Sequence, residues 1–128
     1  MKTLRVDMTT GLVTEEPFAQ ADFGFMGGRG LIARTLHDEC DPGCDALSPK
    51  NVLVFATGLF AGTQLSSCNR LSIGAKSPLT GTIKESNAGG TLALSLSRHG
   101  VKRIIVKGAA KENALYLRAK LNERQIKM

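Results

Sequence analysis

The chain has 128 residues, 42% of them hydrophobic, with 17 Lys and Arg against 11 Asp and Glu and a formal charge of +6. That length and apolar content fit one folded domain and exclude a disordered chain. One Tyr, no Trp and no dense basic stripe with interleaved aromatics argue against a nucleic-acid surface, so the positive balance reads either as a plain solvated surface or as a preference for small phosphorylated ligands.

In chain order, "TLRVDMTTGLVTEEPF" predicts a β-hairpin. Leu4, Val6 and Met8 alternate with Thr3, Arg5 and Asp7, "TTG" turns the chain, Leu12 and Val13 begin the return, and Pro17 ends it. "GFMGGRGLIARTLHDECDPG" predicts a glycine-rich loop opening onto a helix. Leu31, Ile32, Ala33 and Leu36 form its apolar face, and Asp41–Pro42 stops it. "SPKNVLVFATGLFAG" predicts a turn and a strand covered on both faces, because Val52, Leu53, Val54 and Phe55 are unbroken apolar residues. "LSIGAK" reads as another strand, "SPLTG" as a turn, and "SNAGGTLALSLSRHG" as a second loop-to-helix unit capped by Ser86 or Asn87 and closed by Gly100. The period-two spacing of Leu92, Leu94 and Leu96 also fits a strand. "VKRIIVKG" reads as a strand, as does "ALYLRAKL", with "RQIKM" as its partner. The expected fold is α+β: one sheet-rich domain over residues 1–128 with two or three helices.

The N-terminus "MKTLRVDMTT" has no apolar core of a secretory signal, and the apolar runs are too short and interrupted to span a bilayer. A cytoplasmic address without membrane contact is expected. Cys40, Cys44 and Cys68 are an odd set for a disulfide framework. The Cys-x3-Cys pair has only one further Cys and two His to complete a four-ligand metal site, so structural thiols are the expectation, with metal ligation and redox chemistry as the alternatives. His37 reads as helix surface, His99 as a residue at a helix C-terminus, and Glu15–Glu16 as a solvated face.

Two segments suit an anionic ligand. In "GGRG", Gly27 to Gly30, glycines at a helix start let backbone N–H groups approach an anion, and Arg29 adds a charge. The simpler reading is a tight turn that packs a helix on a sheet; neither a dinucleotide-type GxGxxG nor a P-loop lysine is present. The second segment, "RLSIGAKSPLTGTIKESNAGG", has little large apolar mass. Arg70, Lys76 and Lys84 supply charge, Ser67, Asn69, Ser77 and Asn87 supply hydrogen bonds, and Gly81, Gly89 and Gly90 remove side chains. That mix suits a flat polar ligand bearing phosphates; two solvated loops would also satisfy it.

The blocks "GGRGLIARTL", "DALSPKNVLVFATGLFAGT", "NRLSIGAKSPLTGTIKESNAGG" and "HGVKRIIVKG" resemble, in order, the N-terminal domain of the tungsten-containing aldehyde ferredoxin oxidoreductases, up to about Tyr116. The resemblance implies a sheet-rich base beneath a bis-molybdopterin that holds tungsten or molybdenum, with a magnesium ion between the pterin phosphates. It implies that Arg70 contacts the pterin, that Asn87 binds the magnesium through its backbone carbonyl, and that Gly89 lies against the cofactor. Ala88 and Gly90 beside it, and Arg29 of the first segment, are expected in the same cofactor-binding set. No catalytic residue is expected here. The 4Fe–4S cluster and the proton-transfer residues belong to later domains of the family, and none of Cys40, Cys44 or Cys68 matches the cluster motif. The implied whole enzyme oxidises an aldehyde to a carboxylic acid and passes electrons to ferredoxin. The chain then reads as part of a domain: a truncated gene product, a split subunit or a deliberately made fragment, partnered by the remaining oxidoreductase domains. The alternative is a non-catalytic remnant or accessory module that self-associates and binds no metal alone.

Overall fold

The alternation in the first block folds as read. Strand β1 (Lys2–Asp7) pairs antiparallel with β2 (Leu12–Pro17) in a register that sets Leu4 opposite Glu15 and Val6 opposite Val13. The Asp7 carboxylate accepts from the Thr9 backbone N–H at 2.8 Å, and Gly11 takes a φ of +78° to complete the turn. The computed structural model describes residues 1–111, 118–120 and 125–127. A single helical turn, α1 (Gln20–Phe23), precedes α2 (Gly28–Glu39); the sequence reading did not anticipate α1. Then come β3 (Leu53–Thr57), β4 (Leu71–Lys76), β5 (Ile83–Ala88), α3 (Leu92–Arg98) and β6 (Val101–Lys107). Arg118–Lys120 (β7) pairs antiparallel with Gln125–Lys127 (β8), so the expected pairing of "RQIKM" with the preceding strand holds there. The rest of "ALYLRAKL" lies outside the described residues.

The main sheet has six strands in the order β2-β1-β6-β3-β4-β5. Only β1 and β6 run parallel; the other neighbours are antiparallel. Each face carries its own core. On one face α2 buries Leu31, Ile32 and Leu36 against Val54, Ala56 and Ile105, with Phe18 and Val52. On the other, Ala93 and Leu96 of α3 pack with Leu4, Leu71 and Val101. Because successive side chains of a strand point to opposite faces, a sheet covered twice makes β1 more buried than hairpin alternation implies: Thr3 is as buried as Leu4.

Close packing at Gly74 lets α2 lie on the sheet, since a Cβ there would come within 2.6 Å of the Ile32 side chain. At the helix's far end Glu39 accepts a two-point contact from Arg5 at 2.7 and 2.9 Å and an ion pair from Lys107 at 2.8 Å, tying α2 to β1 and β6. Burial opposes the Glu39 carboxylate, yet the hydrogen bonds from Arg5 and Lys107 prevail and hold its pKa at about 2.

Two expectations need correction. "SNAGG" does not cap the third helix: Ser86, Asn87 and Ala88 extend β5, and Thr91 stands at the N-cap without a side-chain cap bond. Leu92–Leu96 are helical, so the strand alternative falls. Gly100 closes that helix as expected with a φ of +74°, and the His99 ring bonds the Ser95 carbonyl at 2.8 Å. Glu15 and Glu16 are not merely solvated; they pair across the hairpin with Lys2 and Arg5, each at 2.7 Å.

Candidate functional site

The two polar segments meet. At the start of α2, Gly27 and Gly28 face the Gly58–Leu59 turn after β3 and the adjoining ends of β4 and β5. Arg70, Ser72, Glu85 and Asn87 complete a shallow concavity of about 310 Å³. Strand register explains why these side chains converge. Ser72 lies opposite Asn87 and Gly74 opposite Glu85. Alternation sends all four to the face that carries α2.

The hydrogen bonds form a chain. Arg70 Nε donates to Asn87 Oδ1 at 2.6 Å, and Asn87 Nδ2 donates to Ser72 Oγ at 3.1 Å. A guanidinium has five N–H donors in a planar fork. Arg70 spends one of them on Asn87, and its terminal amino groups meet no acceptor among the described residues. Gly89 lies against that fork: a Cβ there would sit 3.1 Å from Arg70 Nη1. Backbone closeness is also required at Gly27, where a Cβ would overlap the Leu59 amide, and at Gly28, which has a φ of +51° and lies under the Ser72 hydroxyl. The Gly58 N–H donates to the Arg70 carbonyl at 2.9 Å, so the turn and the arginine are fixed together.

Arg29 is 80% exposed and reaches across to Glu85 at 3.2 Å. The Ser72 hydroxyl first, against a desolvation cost, and then Arg29 hold the Glu85 carboxyl below the usual range, so the site carries one anion among two cations. Ala88 lies opposite Leu71, whose side chain belongs to the α3-side core. Its methyl therefore points to the other face, and it can offer the floor only its backbone. Gly90 follows with a φ of +97°.

The rest of the central segment disperses. Lys76 Nζ donates to the carbonyls of Pro42 and Cys44, both at 2.6 Å, and so holds a distant loop. Ser77 caps the turn between β4 and β5 through bonds from Leu79 and Thr80, and Asn69 accepts from the Gly62 N–H at 2.9 Å. "LSIGAK" itself is partly core, with Leu71 and Ser72 buried. The floor thus uses the two ends of the segment, Arg70 and Ser72 at one and Glu85, Asn87 and Gly89 at the other, and not its middle.

Sequence reasoning missed Glu85 and Ser72, whose inward direction depends on register alone, and Leu59, whose turn walls the glycines. It also missed two buried cations in "VKRIIVKG". Arg103 donates to Thr3 Oγ1 at 3.0 Å and Thr35 Oγ1 at 2.8 Å with its guanidinium 4.2 Å from the Phe23 ring centre. Lys102, at an irregularity in the β1–β6 pairing, donates to the Gly58 carbonyl at 3.2 Å, and burial pushes its pKa down. Among the described residues no group of three or more His, Cys, Asp or Glu is placed to hold a metal ion. No helix there is long and apolar enough to cross a membrane.

An open, side-chain-poor floor with an unengaged guanidinium fork has the geometry that suits a large, flat, anionic ligand lying against backbone. A sequence profile described as "Aldehyde ferredoxin oxidoreductase, N-terminal domain" matches residues 3–128. The chain is 40% identical over 118 residues to the tungsten-containing aldehyde ferredoxin oxidoreductase of Pyrococcus abyssi, covering 91% of this chain and 19% of that protein. Against the enzyme of the same name from Pyrococcus furiosus the identity is 37% over 115 residues, 89% of this chain and 19% of the relative. A solved structure, the active site complex BamBC of benzoyl coenzyme A reductase with 1,5-dienoyl-CoA, superposes with a TM-score of 0.90 at 31% identity, covering 98% of this chain and 19% of that one. The chain therefore belongs to the aldehyde ferredoxin oxidoreductase N-terminal domain family. It spans about a fifth of the length of the relatives it matches.

Proposed function

We propose that this domain is the floor for a tungsten bis-molybdopterin in an oxidoreductase that converts aldehydes to carboxylic acids with ferredoxin as electron acceptor. The observation that carries the reading is Arg70: one N–H fixed on Asn87, the rest of the fork unengaged, and the Gly89 backbone alongside with no side chain between. When bound, the tungsten cofactor supplies the two-electron chemistry. The chain's own residues bind and orient. Arg70 holds phosphate or pterin oxygen by charge-assisted bonds. Asn87 fixes the fork through its side chain while its backbone carbonyl offers a hard oxygen to magnesium. Ala88, Gly89 and Gly90 present backbone. Arg29 supplies a second cation whose charge Glu85 moderates.

Neither proton transfer nor a cluster is assigned to this chain. The 4Fe–4S cluster, the proton-transfer groups and the ferredoxin contact are assigned to the remaining four-fifths of the relatives' length, as further domains or a separate subunit. Phe25, Leu47 and Leu79, each more than 80% exposed, mark apolar surface for such domains to cover. The same exposed residues favour the second reading, a non-catalytic module covered by another copy of itself.

The test is tungsten and pterin content per protein after co-expression with the remaining domains, for the parent and for Arg70→Ala. Tungsten in the parent and a several-fold loss in the variant, with an unchanged melting midpoint, support the floor. Full tungsten in the variant overturns the role of Arg70. A metal-free parent that sediments as a homo-oligomer supports the second reading.

A further inference from the structure

The other end of α2 holds a pair of sulfurs that the floor does not use. Cys40 is the C-cap of the helix, and its backbone N–H still bonds the Leu36 carbonyl. The next three residues fold back sharply: the Asp41 side chain accepts from the Gly43 N–H at 2.8 Å, and its carbonyl accepts from the Cys44 N–H at 3.0 Å. That bend brings Cys44 Sγ to 3.7 Å from Cys40 Sγ. The loop is held from below by Lys76, which bonds the carbonyls on both sides of Gly43, and by Asn51, which ties Ala46 to β4 through the Lys76 carbonyl. Cys44 is buried, whereas Cys40 is partly exposed and lines a groove of about 730 Å³ between α2 and β5. One sulfur is thus open to a small molecule, and the second lies behind it.

We propose that Cys40 and Cys44 form a redox-active dithiol that closes to an intramolecular disulfide by exchange with a small disulfide entering the groove. Closure requires the sulfurs to approach by about 1.7 Å, to a bond of ~2.04 Å, a displacement within reach of side-chain rotation. The Cys40 thiolate attacks one sulfur of the small disulfide, whose S–S bond breaks and releases a thiolate that takes up the Cys40 proton. The Cys44 thiolate then attacks Cys40 Sγ and displaces the second thiolate, which takes up the Cys44 proton. Two cysteine thiols are oxidised, and one small disulfide is reduced to two thiols. Burial, and then the hydrogen bond with Cys44, push the Cys40 thiol upward, so thiolate is scarce near neutrality and exchange is slow. The pair therefore has the character of a stabilising closure and not of a fast peroxide sensor. Cys68 stands apart, donating to the Phe60 and Leu65 carbonyls at 3.0 and 3.1 Å.

The experiment places the reduced Cys68→Ser protein in equimolar oxidised and reduced glutathione, quenches with acid, and maps thiols by alkylation and mass spectrometry. The expected product is a Cys40–Cys44 disulfide in most molecules, and the Cys44→Ala variant should stop at a single glutathione adduct on Cys40. Free thiols at equilibrium, or an adduct on Cys40 that persists while Cys44 is present, overturn the proposal. A disulfide joining two chains does the same. A second readout is unfolding in urea: closing a five-residue loop lowers the unfolding constant about 30-fold by chain entropy. A closed form less stable than the open one would mean that the native geometry is not set for the bond.

Discussion

Glu39→Gln tests how α2 is fastened to the sheet. The carboxylate receives both terminal nitrogens of Arg5 and the Lys107 ammonium, from strands β1 and β6. Its pKa falls from 4.5 to about 2 on folding, which is worth at most ~3 kcal/mol. The carboxylate keeps some solvent contact, so screening reduces the working figure to ~1–2 kcal/mol. The native state binds the proton less readily than the unfolded chain. This contribution is therefore fully present above about pH 4.5 and is lost as the pH falls toward about 2. Urea unfolding across that range is the assay. Near neutrality Glu39→Gln should lose ~1–2 kcal/mol. The difference between the two proteins should shrink through the acid window and approach the residual cost of the amide substitution near pH 2. Parallel stability profiles for parent and variant at every pH would refute the argument, because the depressed titration would then belong to some other group.

Gly89→Ala should lower tungsten content in the assembled protein without moving the melting midpoint, because the added methyl meets only the end of the Arg70 side chain; metal analysis beside calorimetry checks it. Gly74→Ala should cost ~1–3 kcal/mol by pushing α2 off β4, and in an Ile32→Ala background, itself destabilised by its own cavity, the same substitution should cost less, since Ile32 is the side chain in the way. Among the described residues, Arg103 is buried without a carboxylate hydrogen bond and is held by Thr3, Thr35 and two aromatic rings. Arg103→Met should therefore be close to neutral in thermal unfolding, whereas Arg103→Ala should cost ~3 kcal/mol by leaving a void.

Much of this was legible in the chain. The Thr9–Gly11 turn, the α2 face of Leu31, Ile32 and Leu36, and the β3 run announce themselves because local chemistry and long-range packing ask for the same residues there. β5 was not legible. "IKESNA" has no alternation to read, since an edge strand exposed on both faces lacks a buried set, and its assignment comes from ladder pairing with β4. For the same reason the direction of Glu85 into the floor was invisible: a shift of one residue in the β4–β5 register would have turned it away, while Ser72 faces the floor through the β3–β4 register that sets it opposite Ala56. Arg70 and Gly89 could be singled out as residue types, but their contact joins the two ends of a segment and exists only once β4 and β5 are paired. Lys102 and Arg103 lie in a run read simply as a strand; as neighbours they point to opposite faces of β6, and both are buried because the sheet is covered on both faces.

The placement of the floor follows from how the sheet divides its work. β1, β6 and β3 lie in the interior of the sheet order and carry Leu4, Val6, Val54, Ala56, Val101 and Ile105, every buried apolar strand residue among the described residues except Leu71 of β4. β5 contributes no buried residue, yet its backbone is held by a full ladder to β4. A polar edge built this way costs the fold little, because no apolar burial is forfeited there that another strand does not supply. It also stays in position, because ladder hydrogen bonds are indifferent to side-chain identity. Asn87 and Glu85 can therefore be chosen for what they hold above the sheet, and Arg70 can keep most of its donors unengaged, without the instability that an unsatisfied group would bring in the interior. On this argument substitutions at the floor and substitutions under α2 fall into separable classes. The first change what the domain binds at nearly constant stability, and the second change stability while leaving the floor's geometry in the fraction that remains folded.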